Sequence, residues 1–304
     1  SKQKIILMTL SSYDEAFAAL IINAFPYNKV YSDVFKTQID WTKETIKWVK
    51  SRKDLFLIIR VHPRDFPNKR DSIRSEQSYI LRSNLINLPS NVKVNWPSEN
   101  ISFYEILEDT DVLLTGWSVT ALEAMVLGIP VVTYDSQLPS YPKDIHYTGR
   151  SVNKYFKNID KAILDGWNYK NVINGFRWLS YNFNFCTIKI AKDFGNYEQK
   201  NFSFFSNFLF RIKNKFIFLR NFIDLNKWDN NYLESNIVSV MLEKKIDAIP
   251  PAKKLIKRFK CEDNEKEIIL KSLLELHKLI YKSRVLPKNK NGLSKNILEK
   301  VNQI

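Results

Sequence analysis

From Asp111 to Asp135 the sequence DVLLTGWSVTALEAMVLGIPVVTYD prescribes strand, tight turn, helix, tight turn, strand. Val112, Leu113 and Leu114 form the short apolar run of a strand buried in a parallel sheet, and Gly116 lets the backbone turn where that strand ends. Ser118 and Thr120 fall at the helix start, where free backbone N–H groups and the positive dipole end favour an anion. Gly128 and Pro130 punctuate the helix end, and Val131 to Tyr134 supply the next buried strand. Ligands of open α/β sheets collect at such strand ends.

The preceding sequence continues the alternation. Strand Ile5–Thr9 leads through the polar loop Ser11–Glu15 to helical sequence, and a helix from Asp40 to Ser51 precedes the strand Leu55–Val61. A further helix ends before Leu88-Pro89, Asn91–Trp96 reads as a short strand and Ser102–Glu108 as a short helix. Helices follow at 158–167 and 172–185. Strands alternating with helices predict a parallel sheet covered on both faces. Beyond about residue 195 the alternation stops, and only helices are expected: Phe204–Phe222, Tyr232–Lys244, Ala252–Phe259 and Glu265–Lys282. The expected organisation is a Rossmann-like α/β domain over residues 1–195 and an all-helical, basic extension over residues 196–304.

At 304 residues the chain can bury one large core or two modest ones. Its longest apolar run is far short of the roughly 20 residues that cross a bilayer. The chain opens almost at once on a strand, as a piece of a longer protein would. With only Cys186 and Cys261, neither a disulfide framework nor a cysteine zinc site is expected, and a reducing, cytoplasmic setting is. The only histidines are His62, His146 and His277, too few for an imidazole-built metal centre. The net charge of +15 calls for an anionic partner: nucleic acid, an acidic membrane surface or a nucleotide-bearing substrate. No nucleic-acid motif supports the first. In the segment NFSFFSNFLFRIKNKFIFLR, residues 201–220, phenylalanines are interleaved with Arg211, Lys213, Lys215 and Arg220. It reads either as a helix lying on an anionic membrane or as a buried helix with a basic edge.

The candidate chemistry gathers at strand ends. His62 follows Leu55–Val61 directly and precedes Pro63, so its imidazole can donate to a phosphate at the rim shared with Ser118 and Thr120. Arg60 and Arg64 flank it, and a guanidinium offers phosphate a planar fork of donors. Glu123 has two readings: a carboxylate accepting from ribose hydroxyls, or the acid of a capping box over Thr120–Glu123 that reaches back to the Thr120 N–H. Trp117 is a base or sugar platform, or a packed aromatic. Ser102 is a helix N-cap or a phosphate donor. Asp14 and Glu15 read as solvated loop charges, with a general base as the alternative, and Asp109 and Asp111 as structural acids.

The order strand-His62-Pro63-Arg64, Pro89-x-Asn91-Val92, Ser102-x-Tyr104-Glu105, Asp111–Ser118, Leu122-Glu123-Ala124-Met125 and Gly128-Ile129-Pro130-Val131-Val132 resembles the nucleotide-binding half of GT-B glycosyltransferases. It is most similar to the bacterial capsule polysaccharide group that includes the Kdo transferases. More distantly it is similar to polysialyltransferases and to the glycerophosphate polymerases of teichoic acid synthesis. The resemblance covers about residues 1–190.

The resemblance implies that His62, Ser118 and Thr120 hold the donor phosphate and that Glu123 contacts the ribose. It implies a nucleotide-sugar donor, with a CMP-sugar favoured over UDP- or CDP-linked donors, a glycan or glycolipid acceptor and no further cofactor or metal. The expected location is the cytoplasm, with the 201–220 segment allowing a peripheral place at the inner face of the membrane as one of its two readings. Thr115 stands where an earlier glutamate of the wider family's paired-acid motif would fall, which weakens assignment to UDP- and GDP-sugar enzymes. Too few residues precede His62 for the family's acceptor-binding domain. That domain is then removed or on another chain, or this chain is a nucleotide-binding remnant. The alternatives are a non-catalytic nucleotide-binding or assembly module and a CDP-linked polyol-phosphate transferase. A nucleic-acid binder and a sugar-nucleotide epimerase are more remote.

Overall fold

The computed structural model describes residues 3–12, 15, 18, 21–22, 32–65, 76–116, 118–134, 142–185, 243–244 and 265–282. The chain divides into two compact units, Ser1–Trp178 with Pro251–Ile304, and Leu179–Pro250. The sheet and the candidate site belong to the first. Trp117, the 201–220 segment, the expected boundary near residue 195 and the expected helices Phe204–Phe222 and Ala252–Phe259 lie outside the described residues, as does all but the end of Tyr232–Lys244. Among the described residues no helix is long and apolar enough to cross a membrane.

Six strands form one sheet: β1 (Lys4–Thr9), β2 (Leu55–Arg60), β3 (Val92–Asn95), β4 (Val112–Thr115), β5 (Val131–Thr133) and β6 (Tyr147–Thr148). Their order is β3-β2-β1-β4-β5-β6 and every neighbouring pair is parallel. The sheet grows outward from β1 to β3, then the chain returns to lay β4 on the other side of β1. That reversal is the topological switch point of a doubly wound, Rossmann-like fold, and it opens a crevice at the C-terminal ends of β1 and β4.

The helices are α1 (Gln38–Lys50), α2 (Glu76–Asn84), α3 (Phe103–Leu107), α4 (Thr120–Val126), α5 (Val152–Asp165), α6 (Tyr169–Phe185) and α7 (Glu265–Lys282). Alternate residues of the strands, Ile6 and Met8, Leu57 and Ile59, Val112 and Leu114, form one core with Trp41 and Val49 of α1, Leu81 of α2 and Tyr155 and Ile159 of α5. The intervening residues Leu7, Leu113 and Val131 are buried on the opposite face, where α4 packs on β4 and β5. Local chemistry sets the starts of α1 and α5, where the Thr37 hydroxyl accepts from the Asp40 N–H and the Ser151 hydroxyl from the Lys154 N–H, as it does that of α3 at Ser102. Asn91 has a structural task, since its side-chain amide donates to the carbonyls of Val49, Arg52 and Leu55 and so fixes the entry to β3. Asp111 joins β4 to β1 by accepting from the Ile5 N–H and pairing with Lys4, each at 2.9 Å.

The last row of the sheet differs from all the rows beneath it. Asn95, Arg60, Thr9, Thr115, Thr133 and Thr148 are in register across the six strands. One position earlier, the same six strands carry Val94, Ile59, Met8, Leu114, Val132 and Tyr147. The C-terminal edge is therefore polar from end to end, and the core begins one residue below it.

Beyond β6 the chain forms α5 and α6, each beginning several residues before the sequence pattern indicates. The helix α7 spans the expected residues and packs on α6 within the first unit. Arg177 donates two hydrogen bonds to the two oxygens of Glu265, both at 2.6 Å, and Ile269 and Leu273 are buried.

Candidate functional site at the sheet's switch point

The floor of the crevice is a tie between the two central strands. The hydroxyls of Thr9, ending β1, and Thr120, opening α4, lie 3.1 Å apart, and Thr9 donates to the Leu114 carbonyl at 3.4 Å. With the Thr9 hydrogen directed to Leu114, Thr120 is the donor between the two hydroxyls. Thr120 thus closes the floor of the crevice. Gly116 is needed beside it because the Tyr134 hydroxyl lies 2.8 Å from where a Cβ would stand.

Ser118 and α4 form differently from the expected capping box. The N-cap of α4 is Val119, which makes no side-chain cap, and the Ser118 hydroxyl accepts from the Thr120 N–H at 3.3 Å. Glu123 makes no capping box with Thr120, and the Tyr104 hydroxyl on α3 is the side chain that bears on its ionisation. Burial raises the Glu123 pKa and the Tyr104 hydrogen bond opposes that rise. Burial also raises the Tyr104 pKa, with the Glu123 charge adding to it, so the phenol keeps its proton.

The capping box of this region is the one at Ser102. Its hydroxyl accepts from the Tyr104 N–H at 3.2 Å, while Glu105 accepts from the Ser102 N–H at 2.9 Å. Of the two expectations for Ser102, the N-cap is therefore the one its geometry fulfils.

His62 follows β2, where Val61 N–H donates to Asn95 and Pro63–Asp65 form a single 3₁₀ turn. The Arg64 N–H donates to His62 Nδ1 at 3.2 Å. Burial lowers the His62 pKa, the Glu15 carboxylate pulls it up, and Arg64 and Arg60 press it down again. At neutral pH the ring is therefore uncharged, and with Nδ1 accepting, its proton sits on Nε2 as a donor at the sheet edge.

The two arginines are placed differently. Arg64 pairs with Glu15 at 2.7 Å across the loops that follow β2 and β1, with both side chains about half exposed. Such a pair is worth little and opens easily. Arg60 directs Nη1 to the Asn95 side chain and to the Ile101 carbonyl, the latter at 2.9 Å. Asn95 is itself fixed by donating to Glu99 at 2.8 Å. Arg60 is half-buried and, among the described residues, has no carboxylate within ion-pairing distance. Burial lowers its pKa, with Glu105 acting in the other direction from farther away.

Comparison with protein-family models, with curated proteins and with solved structures gives no significant match. The fold assignment rests on strand order and register alone.

Of the predicted residues, the structure brings Arg60 and the Ile101–Ser102 turn together and sets Thr120 against Thr9. His62 stands at the end of β2 and Ser118 beyond β4, with β1 between them. Two strand spacings amount to about 10 Å, so a single ligand touches both only by lying across the end of β1. Sequence reasoning passed over three participants. Gln38 clamps the Ser11 backbone, accepting from its N–H at 2.8 Å and donating to its carbonyl at 3.1 Å. Asn95 braces Arg60, and Tyr104 bears on the ionisation of Glu123. Only Tyr104 left a signal, as the aromatic inside the Ser102-x-Tyr104-Glu105 motif.

Proposed function

We propose that the crevice between β1 and β4 binds the phosphate and ribose of a nucleotide-linked donor, and that the chain is the donor-binding half of a glycosyltransferase. A CMP-sugar is the favoured donor and a bacterial surface polysaccharide the product. The observation that carries this reading is the cationic and donor character of the β2 end: a half-buried Arg60 that no carboxylate among the described residues pairs, beside a neutral His62 that presents Nε2–H. Buried cations attract anions strongly because little water screens them. Ser118 on the far side of β1, about two strand spacings from His62, supplies a hydroxyl donor to a ligand that lies across the end of β1.

In this reading His62 donates to the leaving phosphate, and fixed donors lower the cost of the charge that develops there. Arg64 leaves Glu15 to reach the same phosphate. Glu123 takes the ribose hydroxyls. The acceptor and the base that activates it belong to a separate acceptor-binding domain, and the basic 201–220 segment to the inner membrane surface.

The second reading is a nucleotide-binding assembly module without transfer activity. It is favoured by the engagement of Thr120 with Thr9 and of Arg64 with Glu15, which leaves fewer donors for catalysis. A thermal-shift panel of CMP, CDP, UDP and GDP on the wild type and on His62→Ala tests the proposal. Stabilisation by one nucleotide that is lost in His62→Ala supports a phosphate site at β2. No shift with any of the four refutes it.

A further inference from the structure

The helices α1 and α5 cover one face of the sheet side by side. Trp48 stacks on Phe156 with ring centroids 5.0 Å apart, and Arg52, just past α1, pairs with Asp160 at 2.9 Å. The two helices carry six lysines between them, whereas α4, which packs on the opposite face, carries neither lysine nor arginine. One side of each helix is buried in the core, and helical spacing leaves the far side to Lys43, Lys47 and Lys50 of α1 and to Lys154, Lys157 and Leu164 of α5, all exposed. The acids of the pair are drawn sideways. Asp160 is held by Arg52, Asp165 accepts from Lys161 and from the Tyr147 hydroxyl, each at 2.6 Å, and Asp40 is engaged with Thr37 at the start of α1. Glu44 remains, half-buried. Among the described residues no carboxylate pairs with any of the five outward lysines.

We propose that the outer face of α1 and α5 docks this domain on an anionic lipid surface, independently of the nucleotide reading and of the 201–220 segment. Unpaired surface cations are drawn to anionic lipid over about a Debye length, roughly 10 Å. Three observations favour lipid over nucleic acid. The outward cations are all ammoniums, point charges that suit mobile headgroups, and the guanidinium between the two helices, Arg52, is already engaged with Asp54 and Asp160. The rings of the face are closed to stacking bases, since Trp48 and Phe156 lie on each other and the Arg52 guanidinium lies 5.0 Å from the Trp48 ring centroid. Leu164 is 86% exposed among the lysines of α5. A nucleic-acid backbone would leave that side chain in water, whereas the boundary between headgroups and acyl chains takes it up.

The test is co-sedimentation of the full chain with vesicles of phosphatidylcholine alone and of phosphatidylcholine mixed with phosphatidylglycerol, at about 0.1 M and about 0.5 M salt. Wild type is expected on the mixed vesicles at the lower salt and to leave them at the higher. Each lysine near an anionic surface is worth about fivefold in partitioning, so Lys47→Glu combined with Lys157→Glu lowers it by about 25-fold or more. Lys93→Glu combined with Lys271→Glu makes the same change in net charge at exposed positions off this face, and lowers it only a few-fold. Leu164→Ser weakens vesicle binding several-fold and leaves binding to a mixed-sequence DNA duplex unchanged. Equal losses in the two lysine pairs show that net charge or another segment makes the attachment, and overturn the proposal. Wild type that stays in the supernatant with the mixed vesicles overturns it as well. So does a Lys47 and Lys157 reversal that weakens binding to the duplex and not to the vesicles. The nucleotide panel is untouched by any of these results, because its ligand lies at the sheet edge.

Discussion

The indole N–H of Trp41 donates to the Tyr155 hydroxyl at 2.8 Å, joining α1 to α5 beneath the sheet. Both side chains are fully buried, and Phe35 meets the Tyr155 ring edge-on at 5.3 Å. Burial keeps the phenol protonated far beyond its ordinary range. In Tyr155→Phe the Trp41 N–H loses its acceptor inside the core, where such a loss costs about 1–3 kcal/mol. The urea midpoint is expected to fall by that free energy divided by the slope, with the slope itself unchanged. A midpoint equal to wild type would show that the N–H had found another acceptor.

Gly128 and Gly166 both have positive φ, 84° and 61°, but differ in what surrounds them. A Cβ on Gly128 would stand 2.1 Å from Nε1 of Trp167, whose N–H donates to the Leu127 carbonyl at 2.6 Å. At Gly166 a Cβ would meet nothing within 4 Å. Gly166→Ala therefore carries backbone strain alone, about 1–3 kcal/mol. Gly128→Ala carries strain and also displaces an indole, so its melting temperature should be the lower of the two. The reverse order would contradict this account.

Acid should weaken the fold through its histidines. The ring nitrogens of His146 are buried although part of the residue reaches the surface, and burial pushes its pKa down to about 3. The unfolded chain titrates near 6.5 and so binds the proton first. The stability associated with the neutral ring is present above about pH 6.5 and is lost as pH falls toward 3. His62 is shifted the same way. Glu123, raised by burial, has the opposite sign: it favours the fold below the ordinary carboxylate range and loses that contribution as pH rises. Urea unfolding at pH 7, 6 and 5 should show declining stability, and the decline should be shallower in His146→Asn. An identical slope in that variant would remove His146 from the explanation.

Arg177 and Glu265 hold α7 to α6 with both side chains mostly buried, 15% and 29% exposed. Lysine at position 177 keeps the charge but lacks the planar fork, so it should restore only part of what Arg177→Ala removes. Limited proteolysis should cut residues 265–282 fastest in Arg177→Ala, more slowly in Arg177→Lys and slowest in wild type. Equal rates in all three would mean that Ile269 and Leu273 suffice to hold the helix.

The long strands were legible because strands buried on both faces carry continuous apolar runs, as in Leu55–Ile59 and Val112–Leu114. The two residues of β6 carry no such run, and only their pairing with Val132 and Thr133 makes them a strand. The Thr120–Glu123 capping box was a correct motif in the wrong place. The Thr120 hydroxyl has a partner in Thr9, far upstream, and no local pattern announces it. The same spacing at Ser102–Glu105 has no competing partner and forms the box. Charge was legible at Arg60 and Arg64, but what each touches depends on register with β3 and on the approach of two loops. Tyr104 was visible as a letter and not as a role, because its meaning lies in a helix that follows the next strand.

The polar row that closes the sheet separates two kinds of risk for anyone who would alter this chain. Below it, substitution of the buried strand residues is a question of whether the protein folds. Above it, His62, Ser118 and the loops that carry them stand on an edge already polar across all six strands. Ligand preference can be retuned there by a library of loop variants while the scaffold underneath stays as it is. The threonines make this workable, since a β-branched hydroxyl residue suits an extended strand and a wet rim equally well.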